Sequence, residues 1–166
     1  THCIITNNRA IAGGGILVQD SSRVSITKSV IWGNEATFGG GIYVLGGSAP
    51  RLENLLIVTN KALGGAMYIN RSQPSLLHCT IASNQGTNGT AGGIFNANSA
   101  ATVRNSLLWS NSAPQTTPGI SISYSTVQGG YSGMGNTDQN PFFVNASPSG
   151  LAPLGGLGDY HLQGCS

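Results

Sequence analysis

Charge is the scarcest property of this sequence. Lys, Arg, Asp and Glu make up 7% of its 166 residues, against roughly 25% in an ordinary globular domain. Solubility therefore rests on Ser, Thr, Asn and Gln. The 7 basic and 5 acidic residues leave a net charge of +2 without any Lys/Arg cluster, which argues against a nucleic-acid partner. No apolar run approaches the roughly 18 residues of a membrane span. The three cysteines, Cys3, Cys79 and Cys165, form no CxxC pair, which argues against a zinc site. An odd number allows at most one internal disulfide, and buried thiols are expected. Helical i, i+3, i+4 patterning is missing, and Gly and Asn would penalise a helix. No cofactor is implied.

What the chain does have is a repeat. "GGGILV" at residues 13–18 returns as "GGGIYV" at 39–44, then more loosely as "GGAMYI" at 64–69 and "AGGIFN" at 91–96. A second string ends in asparagine: "CIITNN", "SVIWGN", "LLIVTN", "CTIASN" and "SLLWSN". Its asparagines are Asn8, Asn34, Asn60, Asn84 and Asn111, spaced 26, 26, 24 and 27 residues apart. Ile5, Ile31, Ile57, Ile81 and Leu108 stand three positions earlier. Ile26, Leu52, Leu76 and Val103 precede the last four asparagines by eight positions. Past each asparagine come a polar loop, the glycines, and then Ile16, Ile42, Met67, Ile94 and Ile120. Val18, Val44, Ile69, Asn96 and Ile122 follow two residues later.

Each repeat thus carries about three short segments of period-two alternation, the signature of strands. Three short strands cannot close a core alone. Stacking one repeat on the next does so, and yields parallel sheets wound in a coil. With coils about 4.8 Å apart, five of them make a rod roughly 24 Å long. The glycines permit tight corners and close backbone approach. The lack of a βαβ unit argues against a phosphate-binding glycine loop. Stacked asparagines can hydrogen-bond along the column and satisfy backbone groups at a turn.

After "ISISYSTVQ" the pattern dissolves into "GGYSGMGNTDQNPFFVNASPSGLAPLGGLG", followed by a candidate closing strand, "DYHLQ". The expected organisation is coils over residues 1–126 and a C-terminal cap over 127–166, with the tail folded across the open end of the stack.

The paired apolar-xx-Asn and Gly-Gly-apolar strings resemble those of bacterial right-handed β-helix surface proteins, closest to the polymorphic outer membrane protein and autotransporter-passenger type. There the motifs are Phe-x-x-Asn and Gly-Gly-Ala-Ile. Here Ile31–Asn34, Ile57–Asn60, Ile81–Asn84 and Leu108–Asn111 carry an aliphatic residue in place of Phe. Gly40–Ile42, Gly65–Met67 and Gly92–Ile94 match the second motif. The tail is similar to the C-terminal end of secreted bacterial proteins of the pectin-lyase-like superfamily. The resemblance implies an all-β, single-stranded, right-handed parallel β-helix of about five coils of 24–27 residues, with three short strands per coil and a loop-rich C-terminal cap. It also implies an extracellular, cell-surface location. It implies no single reaction, because the superfamily hosts lyases, hydrolases, adhesins and scaffolds.

Candidate functional residues are few. Leu17, Tyr43, Tyr68 and Phe95 each follow the Ile/Met of the glycine segment and face outward. Consecutive coils would set them in a stripe that docks a partner or stacks on sugar rings, or simply stabilises the sheet. Arg51 and Glu53 share one outward strand face, an alternative glycan site whose simpler reading is a surface ion pair. His2 and His78 occupy one polar column with Lys28, Asn54 and Asn105. They lie three coils apart, about 14 Å, too far to share a metal. Acids are not clustered as a glycan-cleaving site requires. The expectation is a non-catalytic structural, adhesive or assembly module. Its partners would be other copies of itself, head to tail in a filament, or the remaining parts of a larger surface protein. The alternative is a polysaccharide-binding or polysaccharide-cleaving β-helix.

Overall fold

The computed structural model describes residues 2–112, 114–147 and 157–163. Every element among them is a strand. The first coil runs through β1 (Ile4–Thr6), β2 (Arg9–Ala12), β3 (Ile16–Val18) and β4 (Ser25–Thr27). Strands of later coils pair in parallel on each of these, building sheets A, B, C and D of six, four, four and five strands. The chain is therefore a parallel β-solenoid.

The expected three strands per coil become four. Sheet B occupies the stretch after each asparagine that reads as a polar loop, at Arg9–Ala12, Glu35–Phe38, Lys61–Leu63 and Gln85–Gly86. Its fully buried side chain is Ala62, with Gly86 beside it in register. Such small inward residues leave no apolar alternation for a sequence pattern to register.

The core is a set of rows running along the rod axis. Sheet A contributes Ile5, Ile31, Ile57, Ile81, Leu108 and Val127 in register. Sheet C contributes Ile16, Ile42, Met67 and Ile94 beside Val18, Val44, Ile69 and Asn96. Sheet D adds Ile26, Leu52, Leu76, Val103 and Ile122. From Ile31 to Leu108 the members of the sheet A row are sealed from solvent, each worth about 1.5–3 kcal/mol of burial.

Single residues in the left-handed region turn the chain at its corners. Between sheets D and A stand Lys28, Asn54, His78, Asn105 and Tyr124; between A and B, Asn7, Gly33, Thr59, Ser83 and Ser110. Gly13, Gly39 and Gly64 turn B into C, and Asp20, Gly46, Arg71 and Asn98 turn C into D. Asparagine and glycine tolerate this conformation, and most side chains resist it. At Gly40 close packing is the constraint instead. A Cβ there would lie 2.7 Å from the Gly65 carbonyl oxygen and from the Lys61 nitrogen of the next coil.

The fifth coil departs from the repeat. The spacing sets Ile120 and Ile122 in the rows of Ile16 and Val18, but Ile122 pairs with Val103 in sheet D. Sheet C ends at Ile94–Ala97, beyond which a lone bridge joins Ile94 to Thr116. Pro114 and Pro118 lie in this stretch and supply no N–H to a ladder.

The tail was expected across the open end, and it divides its contacts. Tyr131 packs against the core, and its hydroxyl donates to the Ile120 carbonyl at 2.8 Å. Asn136 Nδ2 donates to the Ile122 carbonyl at 3.0 Å, and the Thr137 N–H to that of Ser125 at 3.0 Å. The closing strand Asp159–Leu162 instead pairs antiparallel with Phe143–Asn145. This hairpin lies on the outer side of sheet A, with Phe143 and Tyr160 packed on Trp32, Leu56, Val58 and Ala82. Those outward residues are apolar in three successive coils, so covering them removes a contiguous apolar face from water.

Candidate functional site

Sheet C aligns Leu17, Tyr43, Tyr68 and Phe95 at the same strand position in four consecutive coils. The rings spend their faces on one another. Tyr68 and Phe95 lie 4.9 Å apart with 16° between their planes, a stacked pair. Tyr43 meets Tyr68 edge-on at 5.1 Å and 84°. Phe38, at the end of a sheet B strand, closes the group, 5.4 Å from Tyr68 and 6.1 Å from Tyr43. The chain turns at Gly39 immediately after Phe38, which brings that ring onto the sheet C face. Phe38 was not among the residues singled out from the sequence. Its adjacency to "GGG" was the available signal. Burial, and then the neighbouring Tyr43, hold the Tyr68 phenol above its ordinary pKa. Leu17 ends the stripe, 43% exposed.

Arg51 and Glu53 sit on the outer face of sheet D. The Arg51 Nε–H donates to Glu53 Oε2 at 3.2 Å, and its NH2 nitrogen lies 3.0 Å from the same oxygen. Their coil neighbours are Ser25 and Thr27 on one side and Ser75 and Leu77 on the other. This is a solvated ion pair on a surface of hydroxyls. A second pair, Arg9 with Glu35 at 4.0 Å, lies on sheet B.

The asparagines form a continuous internal ladder. Each donates both its backbone N–H and its Nδ2 to Oδ1 of the next: Asn8 to Asn34, Asn34 to Asn60, Asn60 to Asn84 and Asn84 to Asn111, all at 2.8–3.0 Å. The second amide hydrogen goes back one coil. Asn34, Asn60, Asn84 and Asn111 donate to the carbonyls of Ile5, Ile31, Ile57 and Ile81 at 2.9–3.0 Å. Gln115 ends the column, its Oε1 accepting from Asn111 Nδ2 at 2.7 Å. Every amide hydrogen of the buried members is engaged inside the protein. The ladder closes the wall, and it offers a ligand nothing.

Other chemistry-bearing groups are dispersed. Lys28, Asn54, His78 and Asn105 are corner residues. Among the described residues no three of His, Cys, Asp and Glu come close enough to hold a metal. Cys79 is buried, and burial pushes its thiol up to about 11, so it is not a nucleophile at neutral pH. Cys165 lies outside the described residues. Asp159 pairs with His161 Nδ1 at 2.6 Å on the exposed edge of the hairpin. The His161 backbone N–H, and then its ring, hold the Asp159 carboxyl below the ordinary value. The Asp138 carboxylate accepts from the Gly129 N–H at 2.9 Å.

A family model described as "Right handed beta helix region" matches residues 1–137, a span that ends at Thr137 and leaves out the hairpin. Comparisons with curated proteins and with solved structures each give no match.

Proposed function

The chain belongs to the right-handed β-helix family, and on that premise we propose that it is a non-catalytic structural and adhesive module of an extracellular bacterial cell-surface protein. The observation that carries this reading is the wall itself. Four parallel sheets and an asparagine ladder run in register from coil to coil. Such a lattice of fixed hydrogen bonds supports a stiff spacer with flat sides, as presentation at a surface demands. The outer faces favour contact over reaction, with isolated ion pairs, hydroxyls and one aromatic group. The partner is a second copy, stacked head to tail, or a further part of the same surface protein.

A second reading is favoured by the row of Tyr43, Tyr68 and Phe95, whose half-buried rings leave an apolar rim. On this reading the row grips a polysaccharide, with or without cleavage near Arg51 and Glu53. The stacking of Tyr68 on Phe95 weighs against it, because a sugar ring binds an aromatic face and this contact takes one face of each ring.

A glycan array together with a reducing-end release assay separates the two. The structural reading expects no release of reducing ends, and binding on the array unchanged by Tyr68→Ala. Release that is lost in Glu53→Gln would establish an enzyme and overturn the proposal. Antibody labelling of intact against lysed source cells tests the location, with labelling confined to lysed cells the contrary result.

A further inference from the structure

The fourth coil turns from sheet B to sheet C differently from the three before it. Asn8 stands eight residues ahead of Ile16, Asn34 eight ahead of Ile42 and Asn60 seven ahead of Met67, whereas Asn84 and Ile94 are ten apart. Gly13, Gly39 and Gly64 each make the earlier corners with one left-handed residue. In the fourth coil the extra residues form a projecting turn. Asn88 and Gly89 both have positive φ, +53° and +71°, and the Thr90 N–H donates to the Thr87 carbonyl at 3.1 Å. This is a type I′ turn, for which Asn-Gly is the preferred pair. Its base is tied down. The Thr87 N–H donates to the Ala62 carbonyl at 2.9 Å, and the Thr90 hydroxyl to the Thr87 carbonyl at 2.8 Å.

Three features converge at the tip. Asn88 is followed by glycine, and no other asparagine of the chain is. Both tip residues are exposed, and a Cβ placed on Gly89 would have nothing within 4 Å. The Asn88 side chain makes no hydrogen bond among the described residues. Other asparagines are held differently. Asn34, Asn60, Asn84 and Asn111 spend their amides on the ladder. Asn98 and Asn105 are left-handed corner residues too, but each precedes a serine. Those hydroxyls donate to the Ala97 carbonyl at 3.1 Å and the Arg104 carbonyl at 2.7 Å, which fixes the peptide after each asparagine.

We propose that Asn88 is a modification site, converting spontaneously to aspartate and iso-aspartate. The Gly89 backbone nitrogen gives up its proton and bonds to Asn88 Cγ. The Cγ–Nδ2 bond breaks and ammonia leaves, closing a cyclic imide. Water then opens either imide C–N bond. One cleavage leaves an ordinary aspartate, and the other routes the backbone through the side chain. In sum, one amide and one water become a carboxylate and an ammonium ion, with no oxidant or enzyme. The attack requires the Asn88–Gly89 peptide to rotate out of the turn. Glycine, lacking a Cβ, permits this, and an exposed tip opens locally at little cost. The Gly64 N–H reaches Thr90 Oγ1 at 3.4 Å, and a Cβ on Gly64 would meet that of Phe95 at 2.8 Å. The turn therefore stands beside the aromatic group. Its modification lowers the net charge of +2 by one next to that face, however the face is used.

The test is incubation of the full chain in isotopically labelled water, followed by ion exchange and peptide mass mapping, and repeated on Asn88→Gly. Glycine suits the left-handed position, so the variant keeps the turn. The expected result is an acidic form that grows with time and carries one labelled oxygen at residue 88, in both aspartate and iso-aspartate. Its rate should rise roughly tenfold from pH 7 to pH 8, because the attacking amide must be deprotonated. The acidic form should be lost in Asn88→Gly. Earlier labelling at Asn98 or Asn105, an acidic form that persists in Asn88→Gly, or a folded chain left unlabelled under conditions that fully label the urea-unfolded chain would each overturn the proposal.

Discussion

Asn60 shows how much one side chain can carry in a repeat wall. It is fully buried. It accepts from the Asn34 backbone N–H and Nδ2, and donates to the Ile31 carbonyl and to Asn84 Oδ1. Removing it strands several buried groups, each costing about 1–3 kcal/mol when unsatisfied. Asn60→Ala should therefore destabilise by about 3 kcal/mol or more in urea unfolding, whereas exposed Asn8→Ala should cost under about 1 kcal/mol. Cys79 supplies a pH dependence of definite sign. Its folded pKa, about 11, stands above the ordinary 9.0. Its contribution is therefore complete below pH 9 and is lost as pH rises from 9 to about 11, because only the unfolded chain ionises readily in that window. The loss should amount to roughly 2–3 kcal/mol. Comparing urea midpoints at pH 8 and 11 checks this, and Cys79→Ala should remove that part of the decline.

At the scale of a coil, close approach between coils is set by glycine. The Cβ of Gly40→Ala would meet backbone atoms of the next coil at 2.7–2.8 Å, nearer than real Cβ contacts come. Backbone in the middle of a stack cannot withdraw without disturbing both neighbouring coils. The variant should lose about 2 kcal/mol or more of stability, and the near-ultraviolet dichroism of the adjacent aromatic group should change with it. The same reasoning explains why the polar stretch after each asparagine is a strand. Sheet B needs only small inward residues, since Gly14, Gly40 and Gly65 behind it bring backbone against backbone. Small residues carry no periodic signal, so the sequence pattern divides the coil into three sides where the chain makes four.

For the whole molecule, the two ways of holding the tail predict two stabilities. Residues 131–137 are tied to the last coil by backbone and side-chain hydrogen bonds. The hairpin meets sheet A through apolar side chains, and its hydrogen bonds among the described residues stay within residues 140–163. A two-stranded hairpin is marginal by itself. Its amides in 143–145 and 159–162 should exchange through a local opening, at least about a hundredfold faster than those of Ile31, Ile57 and Ile81. Uniform protection across hairpin and coils would show a single cooperative unit instead.

Local chemistry repeated at a fixed interval was enough to determine the solenoid. The spacing of Asn8, Asn34, Asn60, Asn84 and Asn111, with an aliphatic residue three places before each, sets both register and inward face. Periodic burial leaves one way to stack such segments. The same alternation placed Leu17, Tyr43, Tyr68 and Phe95 in one row. What it could not place were contacts whose partners do not recur at the repeat interval. Phe38 joins the aromatic row only because a corner glycine folds it over. Ile122 belongs to sheet D only because the proline-bearing fifth coil skips sheet C. The hairpin settles on Trp32, Leu56, Val58 and Ala82, residues that only the folded stack assembles into one face. Periodicity is a property of the chain, and contact between different periods belongs to the fold.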